Sequence, residues 1–398
     1  MKKGIISMLC IALAVGTLTG CGSKKEDNRL VIWTNMNVEL DTLQKYADTW
    51  GEQNGYEVEV IHQSPSVQQF AQAVKSAEGP DAVVGIPNDQ LADYVNAGLT
   101  AEVPAELYND ADFSEAAVQA CYVDGKRYAA PLSVETTALF YNTDMVEKVP
   151  ATWEELVEQA VENGGVQFDA TSIYYDLGFV RACGGYIFNY QNGAYDTSDI
   201  GLANDGAVQA YHFLDDLCNR YGLITADVTA DIARSNFQNG KCAYYIGGPW
   251  DIDGFTSAET PFGITEMPTF HGQAFVTPVG TQVSFVGKDS DKQEPAWSFI
   301  KYLIENGAKD LYEAGDRIPA RLSDQELEEI RENAYAKAFI VQINQGEPMP
   351  TVSEMGQLWS IHVNNIRSMW SGEQTPEEAA KNMVAQLEEA VELMNSGK

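Results

Sequence analysis

Three short apolar runs decide the fold of this chain: LVIW at residues 30–33, VEV at 58–60 and AVV at 82–84. Each run has the length and the composition of a β-strand. The segments between them, 40–54 and 67–77, show the periodicity of amphipathic helices. A β-α-β-α-β order predicts a mostly parallel sheet with helices on both faces, so we expect an α/β fold.

Turn and capping signals mark the elements that follow. Asp124-Gly125 lies between two β-prone runs and predicts a hairpin turn. The last helix is predicted over residues 376–394, with its apolar side chains on one face. Three helix starts carry the capping-box pattern, a Ser or Thr followed three residues later by Glu: Thr152 with Glu155, Ser323 with Glu326, and Thr375 with Glu378.

The N-terminus has the pattern of an export signal. Two lysines precede an apolar run at 5–15, and LTGC at 18–21 then resembles the lipobox of bacterial lipoproteins, whose cysteine receives a diacylglycerol. An ordinary secretory signal with an incidental cysteine is the alternative. We expect a signal peptide over 1–20, lipidation of Cys21, and a polar tether over 21–28 that holds the protein outside the bacterial cell membrane.

The charge balance excludes several classes of protein. Among 398 residues, 58 are acidic and 25 basic, a net charge of −33, which disfavours binding to nucleic acid or to anionic lipid headgroups. Four histidines leave little for a histidine-rich metal site or a histidine-based triad. No Walker A, Gly-x-Gly-x-x-Gly or Gly-x-Ser-x-Gly motif occurs. We therefore expect neither a metal, nor another cofactor, nor enzymatic activity.

The remaining cysteines give no metal pattern. Cys121, Cys183, Cys218 and Cys242 have no zinc-type spacing and include no Cys-x-x-Cys motif. Buried free thiols are the favoured interpretation, and two disulfides are the alternative.

Several short motifs occur in order along the chain. They are GPD at 79–81, PLSVE at 131–135, YNTD at 141–144, TWEEL at 152–156, GGY at 184–186, GPW at 248–250 and GEPMP at 346–350. This collinear set resembles the maltose- and maltodextrin-binding proteins, the sugar-capturing lipoproteins of bacterial ABC importers. The likeness covers essentially the whole mature chain.

The resemblance implies the two-lobed type II periplasmic-binding-protein fold, with a ligand cleft between two discontinuous α/β lobes. It also implies a monomer that delivers an oligosaccharide to membrane permease subunits. The implied limits are an N-lobe of 29–133 plus 283–328, a C-lobe of 134–282 plus 335–398, and hinges near 133–138, 277–283 and 328–335.

The resemblance also implies the apolar contacts of the cleft. The C–H face of a sugar ring packs on flat aromatic side chains. Trp250 and Trp359 would stack on sugar rings, Tyr174 and Tyr175 would line the cleft, and Met349 would add a further contact. The alternative for each ring is a place in the hydrophobic core.

Polar contacts are needed because a dehydrated hydroxyl left without a partner costs about 1–3 kcal/mol. The resemblance implies that Glu135 and Asp89 accept hydrogen bonds from sugar hydroxyls, with Asn88 as an alternative to Asp89. Asn35 and Asn37, just after the first strand, would add polar contacts. Each Asn is also an ordinary residue for a turn.

This chain departs from the family pattern at several charged cleft positions. The family's lysine, first arginine, glutamate, tyrosine and second arginine are here Val38, Gln90, Ser172, Ser360 and Val363. The aromatic residues remain while the charged contacts are fewer. Maltose itself is therefore less favoured than a longer, branched or differently linked glucan, or another oligosaccharide.

Other solutes and an enzyme are the alternatives. The same fold can bind a polyamine or a metal ion, iron included. Glu135 and Asp89 also have the residue types of a glycosidase pair, although no glycosidase signature occurs. DIDG at 251–254 resembles half a calcium loop, but Phe262 stands where the terminal Glu belongs. We predict capture of an oligosaccharide, foremost an α-glucan such as maltodextrin, without catalysis.

Overall fold

The computed structural model describes residues 28–64, 66–76, 79–191 and 194–396. The predicted signal peptide, Cys21 and the tether up to residue 27 lie outside the described residues. Within the described ranges, the helices are all too short or too polar to cross a membrane.

The described ranges contain fifteen β-strands. They are β1 (Arg29–Thr34), β2 (Glu57–His62), β3 (Ala82–Pro87), β4 (Tyr122–Val123), β5 (Lys126–Arg127), β6 (Ala130–Glu135), β7 (Ala138–Asn142), β8 (Val166–Gln167), β9 (Phe188–Gln191), β10 (Ala194–Ile200), β11 (Tyr244–Gly247), β12 (Phe262–Thr265), β13 (Pro278–Val286), β14 (Ile318–Pro319) and β15 (Glu347–Pro348).

Sixteen α-helices accompany these strands in the described ranges. They are α1 (Leu40–Asn54), α2 (Val67–Ala73), α3 (Leu91–Asn96), α4 (Glu115–Gln119), α5 (Trp153–Glu162), α6 (Ile173–Ala182), α7 (Asp205–Asp215), α8 (Ala230–Gln238), α9 (Ile252–Ser257), α10 (Gln293–Asn306), α11 (Ala308–Gly315), α12 (Leu322–Gln325), α13 (Glu328–Arg331), α14 (Ala334–Gln345), α15 (Met355–Trp370) and α16 (Pro376–Ser396).

The larger sheet belongs to the first lobe. Its order is β14-β6-β13-β3-β1-β2, and β15 pairs with the beginning of β13. β1 runs parallel to both β2 and β3, as the β-α-β-α-β order predicts. β3 is buried along five of its six residues because helices cover both faces of the sheet.

The smaller sheet belongs to the second lobe and has the order β12-β7-β11-β8. The chain passes from the first sheet to the second between Glu135 and Ala138, and returns between Thr265 and Pro278. α14 packs against β12 and β7, so the chain crosses again after β14. The two-lobed α/β fold is thus present, while the lobe limits given above stay a prediction.

The local predictions agree with most of these elements. α1 has the predicted bounds, and Asp124 and Gly125 both have positive φ in the turn between β4 and β5. Thr375 and Glu378 form the reciprocal capping box, with bonds of 3.2 and 2.9 Å. Thr152 caps α5 through the Glu155 amide at 3.1 Å.

Two local predictions are wrong. Ser323 does not cap a helix: it lies inside α12, whose first turn is held by an ion pair between Arg321 and Asp324. The bidentate contact fixes the start of this short helix in place of the serine hydroxyl. α2 ends at Ala73, earlier than predicted, and the carbonyl of Ala73 accepts from the Ser76 amide in a turn.

The four predicted free thiols are free. Cys121 and Cys242 are buried, and Cys183 and Cys218 are partly buried, with no disulfide among the four. Burial raises the pKa of the Cys242 thiol to about 12, so this thiol stays protonated at neutral pH.

Candidate ligand-binding site

Aromatic rings from the second lobe meet at one place. Tyr174 is the second residue of α6, and its ring centroid lies 6.3 Å from that of Trp250 and 5.6 Å from that of Tyr175. All three side chains are partly buried. Ser172, where the family has a glutamate, caps α6 by accepting from the Tyr174 amide at 3.4 Å.

Trp250 is held by the residue that follows it. Trp250 lies in a 3₁₀ turn after β11, and the neighbouring Asp251 is 1% exposed. The Asp251 carboxylate accepts from Arg234 Nε at 2.6 Å, from the Tyr245 hydroxyl at 2.9 Å and from the Gly248 amide at 3.2 Å. Burial raises the pKa of Asp251, and the Arg234 guanidinium opposes that rise. The turn that presents the Trp250 ring is thereby fixed.

Trp359 connects the aromatic group to the first lobe. It lies on α15, partly buried, and α15 packs against the turn after β3, where the Trp359 side chain lies beside the carboxylate of Asp89. Burial raises the pKa of Asp89, the donor group of Trp359 opposes this rise, and the nearby Glu135 and Asp93 charges add to it. A carboxylate of the first lobe thus lies against an aromatic residue of the second.

The neighbouring Asn88 has a structural role. Its amide nitrogen donates to the Met349 carbonyl at 3.0 Å and to the Thr351 hydroxyl at 2.8 Å, and its oxygen accepts from the Thr281 amide at 3.0 Å. These bonds leave Asp89, rather than Asn88, beside Trp359. Met349 is 3% exposed within the hydrophobic core, so burial does not support the predicted contact of its side chain with a ligand.

Glu135 ends β6 in an ion-pair network. Arg317 Nη1 lies 2.6 Å from Glu135 Oε2, and Arg317 Nε lies 2.6 Å from Glu39 Oε1. Gln282 Nε2 donates to the other oxygen of Glu135 at 2.9 Å. Glu39 is 1% exposed, whereas the side chains of Arg317 and Glu135 are 18% and 14% exposed. Burial lowers the pKa of Arg317, but the two carboxylates outweigh burial and raise it overall.

Sequence reasoning missed Arg317, Glu39 and Gln282. Arg317 is a lone arginine just before β14, and no motif distinguishes it from other charged residues. One signal is available: Arg317 directly precedes a short apolar strand, and a charged residue at such a buried position is usually paired with an opposite charge.

The Tyr174 hydroxyl faces the carboxylate of Glu135. A Cβ built on Gly280 would lie 3.3 Å from Glu135 Cγ, 3.5 Å from Glu135 Oε1 and 3.7 Å from the Tyr174 hydroxyl, so Glu135 and Tyr174 both lie close to Gly280. Burial raises the pKa of Tyr174 well above its usual value, and the Glu135 charge adds to the rise. Within the described residues this buried hydroxyl has no hydrogen-bond partner.

Asn35 and Asn37 lie in the loop between β1 and α1. Asn35 is partly buried and Asn37 exposed, in the loop that leads from β1 to Glu39 and α1. The ion pair of Glu39 with Arg317 connects the end of this loop to Glu135. Val38, where the family has lysine, is 60% exposed.

A surface cavity of about 780 Å³ lies apart from this cluster, on the first lobe. Its cations are matched by anions: Arg127 pairs with Asp110 at 3.0 Å, and Lys126 with Glu102 at 2.5 Å. In the described ranges, no group of three or more His, Cys, Asp or Glu side chains is arranged to hold a metal ion.

Comparison with known proteins gives consistent matches. Residues 45–338 match the family model of bacterial extracellular solute-binding proteins. A galactooligosaccharide-binding protein of Bacillus subtilis (strain 168) is 27% identical, over 100% of this chain and 99% of the relative. The maltodextrin-binding protein MdxE of the same organism is 26% identical, over 98% of each chain. The structure of the maltose-maltodextrin binding protein of Alicyclobacillus acidocaldarius is similar with a TM-score of 0.84 and 30% identity, covering 90% of this chain and 100% of that one.

Proposed function

Because the chain belongs to the bacterial extracellular solute-binding protein family, we propose that it captures an oligosaccharide outside the cell and delivers it to the permease of an ABC importer. The observation that carries this proposal is the contact between Trp359 and Asp89. It combines an aromatic surface for a sugar ring with a carboxylate acceptor for hydroxyl groups, and the two residues come from different lobes.

Lobe closure is the mechanism that this arrangement supports. Asp89 belongs to the first lobe, Glu135 ends β6 at the first crossing between the lobes, and Tyr174, Trp250 and Trp359 belong to the second lobe. A ligand that contacts both sets binds the closed form better than the open form and therefore shifts the population toward closure. We propose that the two lobes, with the limits given above, move about hinges at 133–138, 277–283 and 328–335. We also propose that the functional unit is a monomer.

An α-glucan such as maltodextrin is our first candidate ligand. It is supported by MdxE and by the aromatic group around Trp250, which suits a stack of successive sugar rings. A galactooligosaccharide is the second candidate. It is favoured by the similarity to the galactooligosaccharide-binding protein of Bacillus subtilis. It is also favoured by Val38 and Ser172, which stand where the family has charged contacts.

Binding is favoured over hydrolysis by the relatives of this chain, and the partners of Glu135 do not suit the role of the proton-donating acid. The relatives named above are binding proteins. A glycosidase needs one carboxyl group that carries a proton for the leaving oxygen. Glu135 instead has an arginine nitrogen at 2.6 Å and an amide donor at 2.9 Å, the partners of a carboxylate that accepts hydrogen bonds.

Isothermal titration of residues 29–398 tests this function. The panel is maltotriose, a longer linear maltodextrin, a cyclic dextrin, a β-galactooligosaccharide, a β-glucan and spermidine. We expect saturable binding of an oligosaccharide at about micromolar Kd, near −8 kcal/mol. Heat from spermidine alone would overturn a sugar-binding function, and heat from the galactooligosaccharide alone would replace the α-glucan by the second candidate.

A lipid anchor at Cys21 is proposed for the location of the protein. It is supported by the LTGC sequence at 18–21 and by the extracellular family. Expression of Cys21→Ala should release the protein into the soluble fraction, because several buried acyl chains at about 0.8 kcal/mol per methylene hold far more firmly than a polypeptide alone. Cys10→Ala is the matched control, and membrane retention of Cys21→Ala would contradict the anchor.

A further inference from the structure

A second group of polar side chains lies buried beneath the aromatic residues of the cleft. Asp176 is on α6, directly after Tyr175, and His362 is on α15, one turn after Trp359. Both side chains are 0% exposed, and Asp176 Oδ2 lies 3.8 Å from His362 Nε2. The pair therefore lies between the two helices that carry Tyr174 and Trp359.

The surroundings of Asp176 do not suit a charge. Within the described part of the chain, neither carboxylate oxygen has a hydrogen-bond donor. The Asp169 carboxylate acts on Asp176 as a second negative charge, and burial raises the pKa of Asp176 well above its usual value. An ionised carboxylate without donors costs several kcal/mol in such an interior. Asp176 is accordingly a neutral acid with one proton to donate.

The imidazole of His362 offers the matching acceptor. Its Nδ1 lies 2.9 Å from the Thr171 carbonyl, an oxygen that can only accept, so Nδ1 carries the proton. Burial lowers the pKa of His362 to about 4, so the ring is neutral and Nε2 holds a bare lone pair. Tyr211 on α7 packs near the ring, with centroids 6.3 Å apart, and brings no charge at neutral pH.

We propose that Asp176 and His362 form a neutral carboxylic acid–imidazole pair, with the Asp176 proton directed at His362 Nε2. The pair positions α6 against α15 and thereby sets the spacing of Tyr174 and Trp359. A direct hydrogen bond needs an approach to about 2.9 Å, roughly 1 Å closer than the present separation. The positioning role rests on the proposed sugar binding, whereas the protonation state does not.

Nitrogen-15 NMR of the histidine rings tests the protonation state without any sugar. The chain has four histidines, so His362→Gln identifies the signals of that ring by subtraction. We expect His362 to stay neutral with its proton on Nδ1 from pH 8 to pH 5, while an ordinary histidine titrates near 6.5. An imidazolium at pH 7, or a proton on Nε2 of the neutral ring, would overturn the proposal.

Two substitutions of Asp176 test the positioning role. Asp176→Asn keeps a neutral donor for Nε2, and Asp176→Leu removes it. We expect the Kd for the best sugar of the panel to stay within about twofold in the first variant and to rise at least about fivefold in the second. Asp227→Asn, at an exposed site, is the control for the loss of a carboxylate.

The outcomes separate this inference from the proposed function. An equal loss of affinity in Asp176→Asn and Asp176→Leu would show that the ionised form is needed, and unchanged affinity in both would remove the positioning role. If Asp176→Leu does not fold, Asp176→Asn and the NMR measurement on the unaltered chain still decide the pair. If no sugar binds the unaltered protein, the proposed function fails while the NMR result stands on its own.

Discussion

Arg317 Nη1 lies 2.6 Å from Glu135 Oε2, although the two residues are 182 positions apart in the chain. The same guanidinium holds Glu39 through Nε at 2.6 Å. One arginine thus balances two carboxylates, one of them almost fully buried. The arrangement keeps Glu135 oriented next to Gly280, to which the Tyr174 hydroxyl also lies close.

Replacing Arg317 by glutamine should destabilise the protein strongly. The change leaves the Glu39 and Glu135 carboxylates without their cation, and breaking a largely buried pair in this way costs about 3 kcal/mol. Urea unfolding of the apo protein measures the loss in free energy of unfolding. The control is Lys45→Gln, which removes an ion pair whose lysine side chain is 69% exposed and should change stability by less than about 1 kcal/mol. Similar losses in the two variants would contradict the role of Arg317.

Trp250→Ala should weaken sugar binding and leave the apo protein nearly as stable as before. The ring is partly buried beside Tyr174. Its loss removes a surface on which a sugar ring can stack, so we expect the binding free energy to weaken by at least about 1 kcal/mol. Titration calorimetry gives the affinity and thermal unfolding gives the stability. Tyr190→Ala, at a ring that is 45% exposed and outside the site, is the control. A large fall in Tm with unaltered affinity would place Trp250 in the core.

Sugar affinity should fall as the pH is lowered from 7, because the pKa of Asp89 is raised by burial. Below that raised pKa the carboxylate takes up a proton and loses capacity as an acceptor for sugar hydroxyls. Trp359→Phe removes the indole N–H that opposes the rise, so the loss of affinity should begin at a higher pH. Asp89→Asn should bind more weakly at pH 7 and show a flatter pH profile. A pH profile of Asp89→Asn that matches the unaltered protein would exclude Asp89 as the titrating group.

Asp176→Asn should make the stability depend on pH between about 6.5 and 4. The pKa of His362 falls from 6.5 to about 4 on folding, so in this window the unfolded chain binds one proton more at that residue. At Asp176 the opposite holds in the unaltered protein: its pKa is raised, so the folded chain binds one proton more than the unfolded chain at that residue. The two effects on stability therefore cancel. Without the Asp176 proton, stability should decline toward pH 4 by up to about 1.4 kcal/mol per pH unit.

The control for this experiment is Asp227→Asn, which leaves the buried pair intact. Urea unfolding of the three proteins at several pH values gives the slopes. Parallel slopes for Asp176→Asn and the unaltered protein would mean that Asp176 is ionised in the fold, and a flat profile for Asp176→Asn would mean that the pKa of His362 is not lowered on folding.

Local signals in the sequence were sufficient for elements whose cause is local. Helix α1 has the predicted bounds because its apolar period and the glycine after Asn54 act within the helix itself. The capping box of Thr375 and Glu378 needs only residues three apart. The same pattern at Ser323 failed because the ion pair of Arg321 with Asp324 fixes that turn.

The candidate site was only partly predictable. Resemblance to a family selected Trp250, Trp359, Tyr174 and Asp89, and the structure brings these residues together. Nothing local distinguished Asn88 from Asp89, since both follow β3. The Asn88 side chain turns toward Thr281 of β13 and Met349, the residue after β15, and both partners lie far along the chain.

The sequence by itself determined the α/β class, the helix and strand periods, the export signal pattern and the aromatic residues available for a sugar. The tertiary structure alone decided the ion pairs of Arg317 and the contact of Asp176 with His362. The physical reason is distance along the chain. Periods and caps act over a few residues, whereas these contacts join loops and helices that become neighbours only when the sheet order and the crossings between the two lobes are set.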